Sequence, residues 1–282
     1  MIGRSIAQDR PGTDRSVAVR IGMRSRPVIA LASIVGFVAF LWPFLATPRS
    51  VVDQAMPPVM FGALLLLVVA VVFSEIAEGG IDAKAIAMLG VLSAIGAALR
   101  PLGAGTAGIE TVFFTLVIAG RVFGAGFGFT LGCTTMFASA LVTGGVGPWT
   151  PYQMFACAWI GLFAGTLPRA RGRVELLMLA AYGVIAAYFF GLLLNLSFWP
   201  FTVDPHSTIS YLPGASVVTN AHRYLVYDGV TSLGWDTGRA GTNLVCILVL
   251  GPAMLATFRR AARRASFHPA VEFAGGAADP PA

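Results

Sequence analysis

The chain has 282 residues, of which 56% are hydrophobic and 11% charged, with 19 basic and 13 acidic side chains and a net charge of +6. An ordinary soluble domain carries about 25% charge, so too few charged groups are present to coat a water-solvated globule of this size, and lipid is the main solvent. The three cysteines, Cys133, Cys157 and Cys246, sit apart in apolar runs; they give neither a disulfide framework nor a zinc spacing and read as packing residues.

In chain order, residues 1–27 form an arginine-rich segment. It would suit the basic region of a signal, but the apolar run that follows is too long for an ordinary signal core, so it reads as a cytoplasmic N-terminus ahead of a retained anchor. Apolar stretches able to cross a hydrocarbon core of about 30 Å fall at 28–47, 58–74, 85–99, 108–120, 122–143, 152–167, 176–198 and 240–258. Backbone groups in lipid have no water to bond, so each span is a helix or a barrel strand, and these runs lack the alternation of barrel strands. The expected fold is an all-α integral membrane protein with eight transmembrane helices. Lys84 and Arg100 bound the short third run and are placed to snorkel toward the headgroups.

Arg121 leaves 108–143 open between one span and two. Two spans put 15 of the 19 basic residues on one face: those of 1–27, Lys84, Arg121, and the arginines of 169–173 and 259–264. Only Arg49, Arg100, Arg223 and Arg239 then fall on the other face. The positive-inside rule therefore selects two spans, with both termini cytoplasmic and the cell membrane as the location. Gly124-Ala125-Gly126 makes the tight inner turn. The basic charge is answered by anionic lipid and needs no nucleic-acid partner. Residues 261–282 read as a cytoplasmic tail.

Much familiar chemistry is missing. The chain's single lysine, Lys84, is followed by Ala85, so no G-x-x-x-x-G-K-[ST] loop can cradle ATP phosphates. His206, His222 and His268 have no metal-binding spacing, and no G-x-S-x-G elbow offers an activated serine, so neither catalytic nor metal-ligating residues are assigned. The acids lie near predicted span ends: Glu75, Glu78 and Asp82 inside, Glu110, Asp204, Asp228 and Asp236 outside. No intramembrane relay for a coupling ion is visible, and no cofactor is expected.

The spans do carry small-residue stripes, which let helices approach closely in lipid. Gly124, Gly128 and Gly132 lie on the fifth span, and Gly161 and Gly165 on the sixth; packing within the bundle accounts for them. Gly90, Ala94 and Ala98 mark one face of the third span, open either to packing or to the docking of another subunit. The outer face holds a glycine-rich loop from Arg100 to Glu110, a turn Gly144–Gln153 containing Trp149 and Tyr152, and a long segment 199–239 preceded by Asn195. Trp149 and Tyr152 equally suit an interfacial aromatic belt. Within the long segment, Val217, Ala221, Tyr224 and Leu225 recur at helical spacing over 216–232, as for a helix lying along the interface. Asp228 and Asp236 are expected to pair with Arg223 and Arg239 in water, where such bridges contribute little.

From Leu89 to about Phe258 the chain resembles the membrane-embedded substrate-binding S components of energy-coupling factor (ECF) vitamin transporters, especially the cobalamin-type group. The resemblance is carried by Leu92-Ser93-Ala94-Ile95-Gly96-Ala97-Ala98-Leu99-Arg100, by Phe123-Gly124-Ala125-Gly126-Phe127-Gly128-Phe129 and, most specifically, by Gly147-Pro148-Trp149-Thr150-Pro151-Tyr152-Gln153-Met154. It implies a six-helix core over 83–260, here preceded by two extra transmembrane helices in 28–82. It also implies that the core binds a vitamin, with a corrinoid as the candidate cargo, from outside. The core then docks through Ala94 and Ala98, with Gly90 one turn earlier, onto a transmembrane T component driven by two cytoplasmic ABC ATPases. By position, the pocket corresponds to the outer segments. The candidate substrate-binding residues are Glu110, Trp149, Tyr152, Gln153, Asn195 and Trp199: aromatics to stack on a ring system, and a few oriented polar groups for specificity. A non-catalytic structural or assembly subunit of a membrane complex is the alternative, for which the stripes suffice and no ligand is needed.

Overall fold

The computed structural model describes residues 25–45, separate positions between 62 and 72, and residues 83–103, 106–202, 204 and 207–266. The elements are α1 (Ser25–Phe40), α2 (Trp42–Leu45), α3 (Ala83–Leu99, prolonged by a 3-10 turn Arg100–Leu102), α4 (Val112–Phe123), α5 (Ala125–Val142), α6 (Thr150–Thr166), α7 (Gly172–Thr202), α8 (Val217–Thr231) and α9 (Leu233–Ser266). No strand occurs among the described residues. Lys84–Leu102, Ala125–Val142, Gly172–Phe201 and Leu233–Arg263 are long and apolar enough to cross a membrane, and Pro27–Phe40 and Val112–Phe123 are shorter apolar helices. The expected N-terminal segment 1–27, the tail 261–282 and the run 58–74 lie wholly or largely outside the described residues, although the described positions of the last are helical.

Helix α4 runs through the centre: every residue in it except Arg121 is buried. It ends at Gly124, whose φ of 102° reverses the chain at a single residue before α5 begins. Residues 108–143 thus form two helices. The glycine stripes pack inside the bundle. A Cβ on Gly128 would strike the Gly161 carbonyl, one on Gly161 would strike Gly128, and one on Gly120 of α4 would also meet Gly161. Three helices therefore meet backbone to backbone, and Gly132 and Gly165 extend the close approach of α5 and α6 against Cys157–Ala158 and Ala125.

Outward-facing positions are largely apolar, among them Leu31 and Ile34 of α1, Val91 and Ile95 of α3, Leu177 and Ile185 of α7 and Val245 and Val249 of α9. Lipid is the solvent these faces suit. Helix α7 has 31 residues and α9 has 34. At a rise of about 1.5 Å per residue each exceeds a hydrocarbon core of about 30 Å, so both project into the interfacial regions. The expected span 240–258 is accordingly too short for α9. Hydropathy marks only its lipid-facing length and misses the polar turns at both ends.

At one end, rich in arginine, Glu175 is almost wholly buried. It accepts from Arg121 Nε at 2.7 Å and from Arg259 Nη2 at 2.6 Å, tying α4, α7 and α9 together. Arg121 also donates to the Leu167 carbonyl at 2.9 Å, which fixes the turn after α6. The other end carries α8 and the 207–216 segment as a cap. Helix α1 lies against α6: Gly36 admits the Phe155 ring, and Trp159 donates to Ser33 Oγ at 3.1 Å.

The glycine junction yields a paired test. Gly161→Ala would force α5 and α6 apart and is expected to destabilise the protein by about 1–3 kcal/mol, as overpacking does. Gly90→Ala, where an added Cβ meets nothing within 4 Å, is expected to be neutral or mildly stabilising because alanine favours helix more than glycine does. Thermal unfolding of both variants in detergent measures the difference.

Candidate functional site

All six expected site residues lie at the capped end, distributed over three groups. The first surrounds Arg239, near the start of α9. Its guanidinium reaches Glu110 at 3.1 and 3.2 Å, Asp236 Oδ1 at 2.5 Å and the Ala187 carbonyl at 3.4 Å. The rings of Phe113 and Phe190 flank it, with centroids 5.4 and 4.9 Å away. Glycines of the loop before α4 explain how Glu110 arrives there. A Cβ on Gly108, at φ 76°, would strike the Trp235 carbonyl, and one on Gly238 would strike that of Ala107. The glycine-rich loop uses its conformational freedom to seat against α9. The Asp236–Arg239 pair expected in water is instead buried, with side chains 4% and 9% exposed.

In the second group, Trp149, Tyr152 and Gln153 stand at the start of α6. Trp149 remains exposed and donates to the Gly145 carbonyl at 2.9 Å, stiffening the turn. Tyr152 is buried between Phe40 of α1, 5.0 Å away edge-on, and Phe198 of α7 at 6.5 Å. Phe198 also lies 6.4 Å from Trp149. Gln153 Oε1 accepts from Arg100 Nη2 at 3.0 Å, and Arg100 Nη1 donates to Ser139 at 3.3 Å. Arg100 therefore turns inward across the top of α5 and α6, where a snorkelling side chain was expected. Neutral acceptors among the helices hold it there.

The third group is the cap. Trp199 is fully buried and donates to the Ile209 carbonyl at 2.7 Å, with Phe44, Tyr211, Tyr224 and Tyr227 packed around it. It is the centre of the second hydrophobic cluster. Asn195 donates to Asp228 at 2.7 Å and also bonds Ser232. Asp228 does not meet Arg223, which instead donates to the carbonyls of Ser207 and Ser210 and to the Ser210 hydroxyl. Ser216 caps α8 by accepting from the Thr219 amide at 3.1 Å. The helix is present where the spacing predicts it, but its buried stripe is Asn220, Tyr224 and Tyr227. Val217 and Leu225 face outward, 58% and 62% exposed. Tyr224 faces inward, where its hydroxyl donates to the Leu192 carbonyl of α7, and Asn220 exchanges hydrogen bonds with the Leu212 backbone.

Sequence reasoning missed Phe40, Phe198 and Arg100 as neighbours of these residues. Phe40 lies in a run read only as a span, Phe198 sits beside the more conspicuous Trp199, and the basic residue at a span end has a ready explanation in snorkelling. Asn195, one turn before Phe198 and Trp199 on α7, is the signal that does point to this level of the bundle.

Burial raises the Asp228 carboxyl above its ordinary value of 3.8, against the opposing hydrogen bonds from Asn195 and Tyr224. A carboxyl whose folded pKa is raised stabilises the fold fully below the unfolded value, and this contribution is lost as pH rises through the folded one. Hydrogen exchange in α8, corrected for intrinsic rate, is thus expected to show greater protection near about pH 4 than at about pH 7.5. Asp228→Asn is expected to flatten the difference.

A family model described as the substrate-specific component of ECF transporters matches residues 84–258, from the first turn of α3 to the last turns of α9. Neither the curated proteins nor the solved structures give a match to this chain. With the match spanning the helical bundle and apolar helices able to cross a bilayer, the chain is an integral membrane protein that belongs to the family of ECF transporter substrate-specific components.

Proposed function

We propose that this protein is the membrane receptor of an ECF-type importer: it binds a vitamin on the outer face and presents it to a transmembrane T component powered by two separate cytoplasmic ATPases. The family match over 84–258 is the observation that carries this reading. The arginine-rich end, with Arg121, Arg169, Arg171, Arg173 and Arg259, is then cytoplasmic by the positive-inside rule, and the capped end faces outward in an eight-span cell-membrane protein.

Two features support the division of labour. At the capped end, Trp149 and Tyr152 offer aromatic surface, and Glu110, Gln153 and Asn195 offer oriented polar atoms; Trp199 serves the ligand through the cap it holds. A corrinoid, with its large ring system, is the candidate cargo. On α3, Gly90, Ala94 and Ala98 form an exposed face of small residues, while Leu89, Ser93 and Ala97 turn inward. That face admits another backbone closely and is the proposed surface for the T component. Helix α1, outside the family core, braces α6, with Phe40 packed against Trp159.

The protein in lipid nanodiscs is expected to bind one member of a corrinoid, flavin, thiamin and biotin panel at micromolar concentration or below. Binding none would favour a structural or assembly subunit. Ala94→Trp combined with Ala98→Trp is expected to abolish uptake in vesicles holding the complete transporter while leaving ligand affinity within about twofold. Loss of both would place this face in the ligand site or the fold.

A further inference from the structure

We propose that Arg100 receives an anionic group, a carboxylate or a phosphate, carried by the transported ligand. The inference rests on the ligand-binding reading above and narrows the chemical class of the cargo.

The arginines at the capped end differ in how their charge is answered. Arg239 is met by two carboxylates, Glu110 and Asp236. Arg223 is wrapped by oxygens of the 207–210 turn, at 2.6 to 3.3 Å. Arg100 has only the Ser139 hydroxyl and the Gln153 side-chain carbonyl, both neutral, and no carboxylate within 4.0 Å among the described residues. A guanidinium has five N–H donors in a planar fork; the two bonds present occupy one on each terminal nitrogen, so Nε and the remaining terminal hydrogens have no acceptor among the described residues. A half-buried cation without a counter-charge is costly, and a bidentate anion is the partner its geometry fits.

Position favours a ligand over a lipid headgroup as the source of that anion. Arg100 is anchored on two helices other than its own, through Ser139 of α5, which is fully buried, and Gln153 at the start of α6. The guanidinium therefore faces the buried Ser139, and its second partner, Gln153, is the chain neighbour of Tyr152. Arg239 already has two carboxylates within salt-bridge distance, whereas Arg100 has none among the described residues.

The test uses the full-length protein in nanodiscs and three pairs of probes that differ in an anionic group: biotin and biotinamide, flavin mononucleotide and riboflavin, cobalamin and cobinamide. For a pair that binds, the anionic member is expected to bind at least about tenfold more tightly. Arg100→Gln is expected to erase that preference, and Arg100→Lys to retain part of it, because the charge survives without the fork. Should Arg100→Gln fail to fold, discrimination by the unaltered protein decides. Equal affinity within every pair that binds overturns the proposal and leaves the receptor reading intact; binding of none overturns the proposal, and overturns the receptor reading as well when thiamin also fails to bind. Repeating the measurements in phosphatidylcholine, with and without phosphatidylglycerol, identifies the source. An Arg100-dependent melting shift caused by phosphatidylglycerol, without discrimination among the soluble probes, assigns the anion to lipid and overturns the proposal.

Discussion

Helices α4, α7 and α9 are fastened to one another at both ends by arginine and carboxylate groups, of which Glu175, Arg121, Arg239 and Asp236 are withdrawn from water while Arg259 and Glu110 stay partly exposed. At the arginine-rich end Arg121, Glu175 and Arg259 each come from one of the three. At the capped end Arg239 of α9 meets Glu110 just before α4 and the Ala187 carbonyl of α7. Buried ion pairs add little net stability over a well-packed apolar substitute, yet leaving one member unpaired in a low dielectric is severe. With those three helices set, the glycine junction sets α5 and α6, and α3 and α1 close the outside.

That order of constraint explains which parts of the molecule the sequence makes legible. Local signals read well: the reversal at Gly124, the intrabundle packing of Gly128, Gly132, Gly161 and Gly165, and the presence of α8 all follow from neighbouring residues. Pairings between distant segments do not. Glu110 and Arg239 are separated by 129 positions, and nothing at either one names the other. The same blindness turns Arg100 outward in a sequence-based reading, because snorkelling needs no partner whereas the inward conformation needs Ser139 and Gln153. Apolarity also misreads α8. In a membrane protein, the side facing away from the bundle is the hydrocarbon-compatible one, so Val217 and Leu225 point out while tyrosines point in.

The candidate site is correspondingly layered. Glu110 and Asp236 stand engaged with Arg239, Asn195 with Asp228, and Trp199 with the segment it covers. These groups hold the architecture of the capped end. Trp149, Tyr152, Gln153 and Arg100 cluster where α3 ends and α6 begins, with fewer obligations to the fold. Residue type alone does not separate the two sets, since each contains aromatic, amide and charged members; the separation comes from how completely each side chain is already satisfied.

The segment before the family core also enters this end of the molecule. Phe40 is fully buried against Tyr152 and Trp159, Trp42 stacks on Phe201 at 5.4 Å, and Phe44 reaches Trp199. Homology begins at residue 84, yet the wall behind Tyr152 is built from residue 40. In kin that lack such an N-terminal helix the same α6 motif would face a different neighbour, so cargo preference need not travel with the motif.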